Sequence, residues 1–338
     1  MSLVSICSLA DLLLLSAFRL RTGTETAGHL ATVADWHYPL GSAQTQRQRR
    51  TRLYLRSLIH ARSTACWLDF LWSAPALLEA ARLNPDLAEK LHRPYMRKDL
   101  SAGERLALLL SHYRFGISQP HGGLLLSATL RDVPLAELHG KSGKGFQLML
   151  GPAGSLQKEG ELRLRLECGG LVLLSLAFTL SAQGKAPMLL VGCLQGSPGP
   201  AVRDAIRDAT KELFGLRPRQ LLLVALKAIA RAYGLSGIVG ISDRLHVYRH
   251  WRKRRQIMQS YDEMWQDLGG TRRADGLFEL PLMHQPRALT DYPSNKLSAM
   301  ARRQALEQQL IDSILEMISG QTGCQAIVPP GSPPALPH

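Results

Sequence analysis

The apolar positions change period near residue 121. Before it they recur every three or four residues, and after it several short runs alternate with polar ones. Residues 1–19 are apolar with Asp11 in the middle and read as a buried or amphipathic helix. Residues 20–40, with Gly23, Gly28, Trp36 and Pro39, read as an irregular connection. Over 42–62, Leu53, Leu55, Leu58 and Ile59 keep helical spacing while Arg47, Arg49, Arg50, Arg52 and Arg56 crowd the other turns. Residues 64–92 predict two short helices broken near Asn84 and Pro85. Ser101 and Glu104 stand at capping-box spacing, and Leu106, Leu109, Leu110 and Tyr113 continue a helix from there.

Past residue 121 the runs at 124–130 and 146–150 suit short strands. Residues 161–167 alternate strictly, Cys168, Gly169 and Gly170 make a turn, and 171–180 and 188–194 supply two more strands. These form an antiparallel meander whose last strand is central. Residues 200–214 predict an amphipathic helix ending at Gly215, and Arg217 with Pro218 opens another that stops at Gly234. A short buried strand at 236–242 can then pair in parallel with 188–194, because a helix separates the two. A helix at 260–268, a strand at 277–282 and a helix at 295–319 follow. The fold class predicted is α+β, a helical N-terminal portion followed by a mixed sheet made of a meander and a β-α-β unit. The expected divisions are 1–41, 42–120, 121–319 and a disordered tail, rich in proline and glycine, over 320–338.

Charge adds a direction. Lys and Arg number 41 against 27 Asp and Glu, a net charge of +14. Such a surface attracts phosphate-rich partners: nucleic acid, anionic headgroups or phosphorylated small molecules. Five widely spaced cysteines without a C-x-x-C pair fit a reducing compartment and argue against a structural zinc or a disulfide framework. The first residues lack the basic start of a signal peptide, and Asp11 interrupts any span. Cytoplasmic residence is therefore expected, with room for peripheral attachment to the inner membrane.

The densest charge lies at 243–255. There His246, Tyr248 and Trp251 interleave with Arg249, Arg252, Lys253, Arg254 and Arg255. That mixture suits a phosphate ligand, an anionic membrane surface or nucleic acid, and a solvated helix face with Trp251 in the core is the bland alternative. His112, His121, His139 and His284 have no metal-ligand spacing, so no metal is expected. Cys193, on the central strand, reads as a buried inert thiol, and Glu161, Arg163, Arg165 and Glu167 as a surface salt-bridge row.

The element order over 161–282 resembles the GNAT acyltransferase fold. The resemblance implies an acyl-CoA held between the strands at 188–194 and 236–242. Its pyrophosphate would lie at the start of the joining helix, beside Arg217, Arg219 and Gln220. Leu223 stands where that fold wants a close-approach glycine, and Trp265 where it commonly has a tyrosine general acid. Tyr248, Tyr261 and His246 are then the candidates for proton transfer, and Tyr248, Trp251 and Trp265 for an aromatic wall. LVGCLQGSPGP, IRDATKELFGLRPRQLLLVALKAIA, HVYRHWRKRR, YDEMWQDLGG, DGLFELP and YPSNKLSAMARRQAL are similar to the VirK/YbjX family of bacterial proteins, over most of 42–310. That resemblance implies a Gram-negative source and a role in envelope stress, antimicrobial-peptide resistance or virulence. The expected function is such a role with an acyltransferase-like, anion-binding cleft. A module binding anionic lipid or lipopolysaccharide phosphates is the alternative, and nucleic-acid binding a third reading.

Overall fold

Ser8 starts the first helix. Its Oγ accepts from Asp11 N–H (3.2 Å), and Asp11 Oδ2 accepts from Ser8 N–H (3.1 Å). The computed structural model describes residues 8–37, 42–184, 186–248, 260–283 and 288–320. Within these, the N-terminal layer comprises α1 Leu9–Thr22, α2 Thr24–His37, α3 Ala43–Ile59, α4 Ala61–Ser73, α5 Pro75–Leu83, α6 Asp86–Glu89, α7 Ala102–Ser118 and α8 Gly123–Leu130. The reciprocal Ser101–Glu104 cap opens α7 as its spacing predicts.

Two segments differ from their sequence reading. Of the connection expected over 20–40, residues 24–37 are a helix, α2, and 38–40 lie outside the described residues. Ala27, Leu30, Val33 and Ala34 of α2 form one buried face, and Gly28 merely costs that helix some propensity. The break the glycines announce is confined to Gly23, which takes a φ of +98° between α1 and α2. The strand expected at 124–130 is α8. A short apolar run does not by itself separate helix from strand, and here Leu124, Leu125 and Ala128 point together into the core.

The sheet holds β1 Val133–His139, β2 Gly145–Pro152, β3 Leu162–Cys168, β4 Leu171–Ser181, β5 Met188–Gly196, β6 Ile238–Gly240, β7 Thr271–Arg272 and β8 Phe278–Leu280, in the order β1-β2-β3-β4-β5-β6-β8-β7. Neighbours are antiparallel except β5 and β6, which run parallel. Helices α9 Pro200–Glu212 and α10 Pro218–Ala232 make the crossover. Helix α11 Tyr261–Asp267 precedes β7, and α12 Leu297–Ser319 closes the described chain. The architecture is thus α+β, with a helical N-terminal region, an eight-stranded mixed sheet and a long C-terminal helix. The edge strand β1 escapes a sequence reading because of Pro134, which an edge tolerates.

Two apolar cores lie on this frame. One packs α10 and α12 on the sheet through residues such as Leu222, Ile229, Leu310, Leu164 and Phe178. The other joins the N-terminal helices to Val239, Ile241, Leu245 and Leu277. The segment entering β3 lies across β4 and β5. Gly160 lies so close to β4 that a Cβ would meet Phe178 N at 2.5 Å. Gly192, the unpaired bulge residue of β5, faces the Glu159 carbonyl with no room for a Cβ. Two glycines thus let one backbone lie on another and carry Glu159 and Glu161 into the interior.

His112 ties α7 to this sheet by accepting from Leu180 N–H at Nδ1 (3.1 Å). Burial pulls its pKa down to about 4, with Glu161 opposing and Lys90 adding to the drop. An unfolded chain takes up this proton near the ordinary histidine value, and the folded one refuses it until about pH 4. Stability from this group is therefore full above that ordinary value and is lost as pH falls toward 4, by up to about 3 kcal/mol. His112→Asn, which keeps an acceptor, should flatten that acid slope in urea denaturations across this range. An unchanged slope would assign the loss to other groups.

Candidate functional site

Strands β5 and β6 pair over Leu189, Leu190 and Val191 against Ile238, Val239 and Gly240. Ile241 N–H still reaches Val191 O (2.9 Å), and β5 then runs on to Gly196 beyond the end of β6. Aromatic residues of α11 close over this parting. Trp265 is fully buried and donates from Nε1 to Ile241 O (2.9 Å), and its ring lies 2.7 Å from where a Gly240 Cβ would stand. Tyr261 stacks between Trp265 (6.0 Å) and His246 (4.7 Å), and the His246 ring lies 5.9 Å from Tyr248.

Three of these, His246, Tyr248 and Tyr261, lie around Glu159. His246 Nδ1 accepts from Tyr248 N–H (3.3 Å), which assigns the ring proton to Nε2. Nε2 lies 2.9 Å from Glu159 Oε1, off the line of a good hydrogen bond. Burial, then Glu159, hold Cys193 as a neutral thiol, and it bonds to the same carboxylate. Burial, then Cys193 and Glu159, push the Tyr261 phenol far up. His246, Tyr261 and Trp265 are buried and Tyr248 is half-buried. The cluster ties the segment before β3 to β5 and α11, and both its thiol and the Tyr261 phenol are held neutral. Asp243 completes it by accepting from Ser260 Oγ (2.8 Å) and Tyr261 N–H (3.2 Å), clasping the two ends of the basic segment. Arg249, Trp251, Arg252, Lys253, Arg254 and Arg255 lie outside the described residues.

The start of α10 does not fit an acyl-CoA pyrophosphate. Pro218 has no N–H, and the Gln220 and Leu221 amides both donate to Arg217 O (2.8 and 3.1 Å). Arg219 turns to Asp267 (3.5 Å), Arg217 is exposed, and Leu223 is buried where the chain would need to approach a ligand. The Glu159 backbone occupies the bulge face at Gly192.

A second buried network was not legible in the sequence. Lys90 Nζ reaches Glu161 Oε1 (2.5 Å) and Gly160 O (3.0 Å), Tyr113 donates to Glu161 Oε2 (2.5 Å), and Tyr95 pairs with Thr179 (2.8 Å). Glu161 is therefore no member of a surface row, because α7 and the turn at 90–92 cover it. Arg165 does pair with Glu167 and with Asp132 (3.1 Å), half-buried. Nothing local marks Glu161, whose partners come from far along the chain.

A third assembly lies on the outer helices. Arg49, Arg52 and Arg56 form one stripe of α3 and line a cavity of about 380 Å³ with Leu53, Asp86, Glu89 and Arg93. Arg93 holds Asp86 (2.7 Å) and Glu89 (2.8 Å). Beside it α1 is turned about: Asp11 is buried and accepts from Thr51 Oγ1 (2.6 Å), while Leu9, Leu12, Leu13 and Leu20 are 74, 51, 63 and 86% exposed. The crowding of arginines on 42–62 was visible in the sequence, whereas the outward turn of the leucines was not.

The model of the family described as a protein of unknown function, DUF535, matches residues 42–316. The chain belongs to the DUF535 family. The uncharacterized protein YbjX of Escherichia coli K12 is 30% identical over 283 residues, covering 81% of this chain and 85% of the relative. A Haemophilus influenzae protein is 24% identical over 281 residues, 83% of this chain and 93% of its own. A Mannheimia haemolytica relative, named membrane protein LapB, is 23% identical over 211 residues, 61% of this chain and 88% of its own. No solved structure matches. The DUF535 match takes in the Glu161 network, the Glu159 cluster and the arginine stripe, while α1 and α2 precede it.

Glu161→Gln leaves the Lys90 ammonium buried beside a neutral amide and should cost about 3–5 kcal/mol in chemical denaturation. The pair Lys90→Met with Glu161→Met should lose less than the two single changes summed. Additive losses would mean that the two groups do not act together.

Proposed function

We propose that this DUF535 protein docks peripherally on an anionic bacterial membrane surface through α1 and α3, and serves the envelope from there. The observation that carries this reading is the outward turn of α1. Four leucines on one face of a helix are costly in water, and contiguous exposed apolar surface marks an interaction site. Each leucine that enters an apolar phase contributes up to about 1.5–3 kcal/mol. Leu55 and Ile59 of α3 extend the exposed apolar surface.

Charge selects the partner. Arg19 and Arg21 end α1, and the α3 stripe lies one turn from Leu55 and Ile59. Arginine near an anionic leaflet contributes about 1 kcal/mol per residue, and leucine beside arginine is the composition of an interfacial helix. Among the described residues no helix is long and apolar enough to cross a membrane, so the contact proposed lies in the membrane plane. The naming of one relative as a membrane protein supports this reading. So does the VirK/YbjX resemblance, whose implied roles in envelope stress and antimicrobial-peptide resistance concern the bacterial envelope. The basic segment at 249–255 would add to the same attraction.

Co-sedimentation with phosphatidylcholine vesicles, with and without phosphatidylglycerol, tests the reading. The protein should bind the anionic vesicles, and salt should weaken that binding. Leu12→Ser with Leu13→Ser, both exposed, should leave the fold intact and weaken binding about tenfold or more. Equal binding by this variant, or binding blind to lipid charge, would reject the proposal. Salt-sensitive retention of duplex DNA that is equally strong in the leucine variant would favour nucleic acid instead.

A further inference from the structure

The cavity between α3 and the turn at 86–93 has an imbalance of its own. Its walls carry four arginines and two carboxylates. Arg93 engages both carboxylates, and Gln157 also donates to Asp86 (2.6 Å). Arg49, Arg52 and Arg56 are exposed, and among the described residues no carboxylate stands within ion-pair distance of them. Three guanidinium groups at successive helical spacings repel one another, so the chain holds this arrangement against its own electrostatics. The neighbourhood feels the excess charge. Burial first, and then the charges of His60, Arg56, Arg105 and Arg93, press the proton affinity of His92 down to about 3.

We infer that this cavity binds the phosphomonoester headgroup of an anionic lipid. A phosphomonoester carries close to two negative charges at neutral pH and three oxygens free to accept. Arginine pairs with such oxygens through two parallel N–H donors, and three arginines with no ion-pair partner among the described residues, around about 380 Å³, offer more donors than a phosphodiester can use. The carboxylates of Asp86 and Glu89 fix the Arg93 fork, and two carboxylates against four arginines leave the cavity lining positive. The lipid source follows from position. Leu55 and Ile59 follow Arg52 and Arg56 by three residues on exposed α3, so a headgroup in the cavity leaves its chains beside apolar surface. The source of the phosphate, though not its chemistry, rests on the membrane reading.

Two arms test this on the full chain. In the first, vesicles of phosphatidylcholine with phosphatidic acid are compared with vesicles carrying phosphatidylglycerol at matched surface charge. The protein should bind the phosphatidic acid vesicles about tenfold more tightly. Arg52→Gln with Arg56→Gln, at exposed positions, should erase that preference while keeping some binding to phosphatidylglycerol. In the second, calorimetric titration with inorganic phosphate should give a binding heat that the same variant lacks. No preference between the vesicles, or a preference the variant retains, overturns the inference. If neither vesicle binds, the membrane reading fails, and the phosphate titration then decides alone. A heat lost in the variant would keep a phosphate site for a free phosphomonoester, and no heat, or equal heat in both proteins, would end it.

Discussion

A carboxylate carried into the interior at Glu161 fixes how the helical layer stands on the sheet. It reaches that place because Gly160 and Gly192 let the segment before β3 lie directly on β4 and β5. Taking a carboxylate and an ammonium out of water costs several kcal/mol each, and a single ion pair seldom repays it. Here Lys90 also donates to Gly160 O, and Tyr113 donates to the second carboxylate oxygen, so each charged group has a second partner. Burial lowers the proton affinity of Lys90, and Glu161 opposes that drop.

The consequences pass outward through named contacts. Lys90 belongs to the turn that carries His92, and His92 Nε2 meets Ser57 Oγ of α3 (3.3 Å). Helix α3 is thereby held against residues 86–93, which gives the arginine cavity its walls. Thr51 of α3 then bonds Asp11 of α1, and that bond keeps the polar side of α1 inside. A buried pair at the sheet thus governs which face an outer helix shows to the surroundings. The Glu159 cluster does the same on the other side, fixing through His246 and Asp243 where the basic segment leaves and returns.

Much of the frame was legible in the sequence because its signals are local. The alternation entering β3, the Ser101–Glu104 cap, Pro218 at the start of α10 and the parallel pairing of β5 with β6 all follow from short-range pattern. Helix α8 was not legible, since a run of leucines buried on several sides has no readable period. Glu161 looked like its neighbours Arg163 and Arg165, and only tertiary packing separates it from them. The candidates His246, Tyr248, Tyr261 and Trp265 do meet, and the first three lie around a carboxylate, Glu159, that sequence reasoning did not single out. The arginines of α3 were conspicuous as composition. Their place around one cavity, beside Asp86, Glu89 and Arg93, depends on how residues 86–93 fold.

The depth of α1 in a bilayer tests the central claim most directly. A nitroxide attached at Leu13→Cys, in a chain whose native cysteines are replaced, reports collisions with oxygen dissolved in lipid and with a water-soluble nickel complex. Docking through α1 predicts that anionic vesicles raise the oxygen collisions and lower the nickel collisions at this position. A label at exposed Lys211 on α9 should keep its aqueous values. Unchanged water accessibility at Leu13 in the presence of sedimented, protein-bearing vesicles would contradict docking through this face.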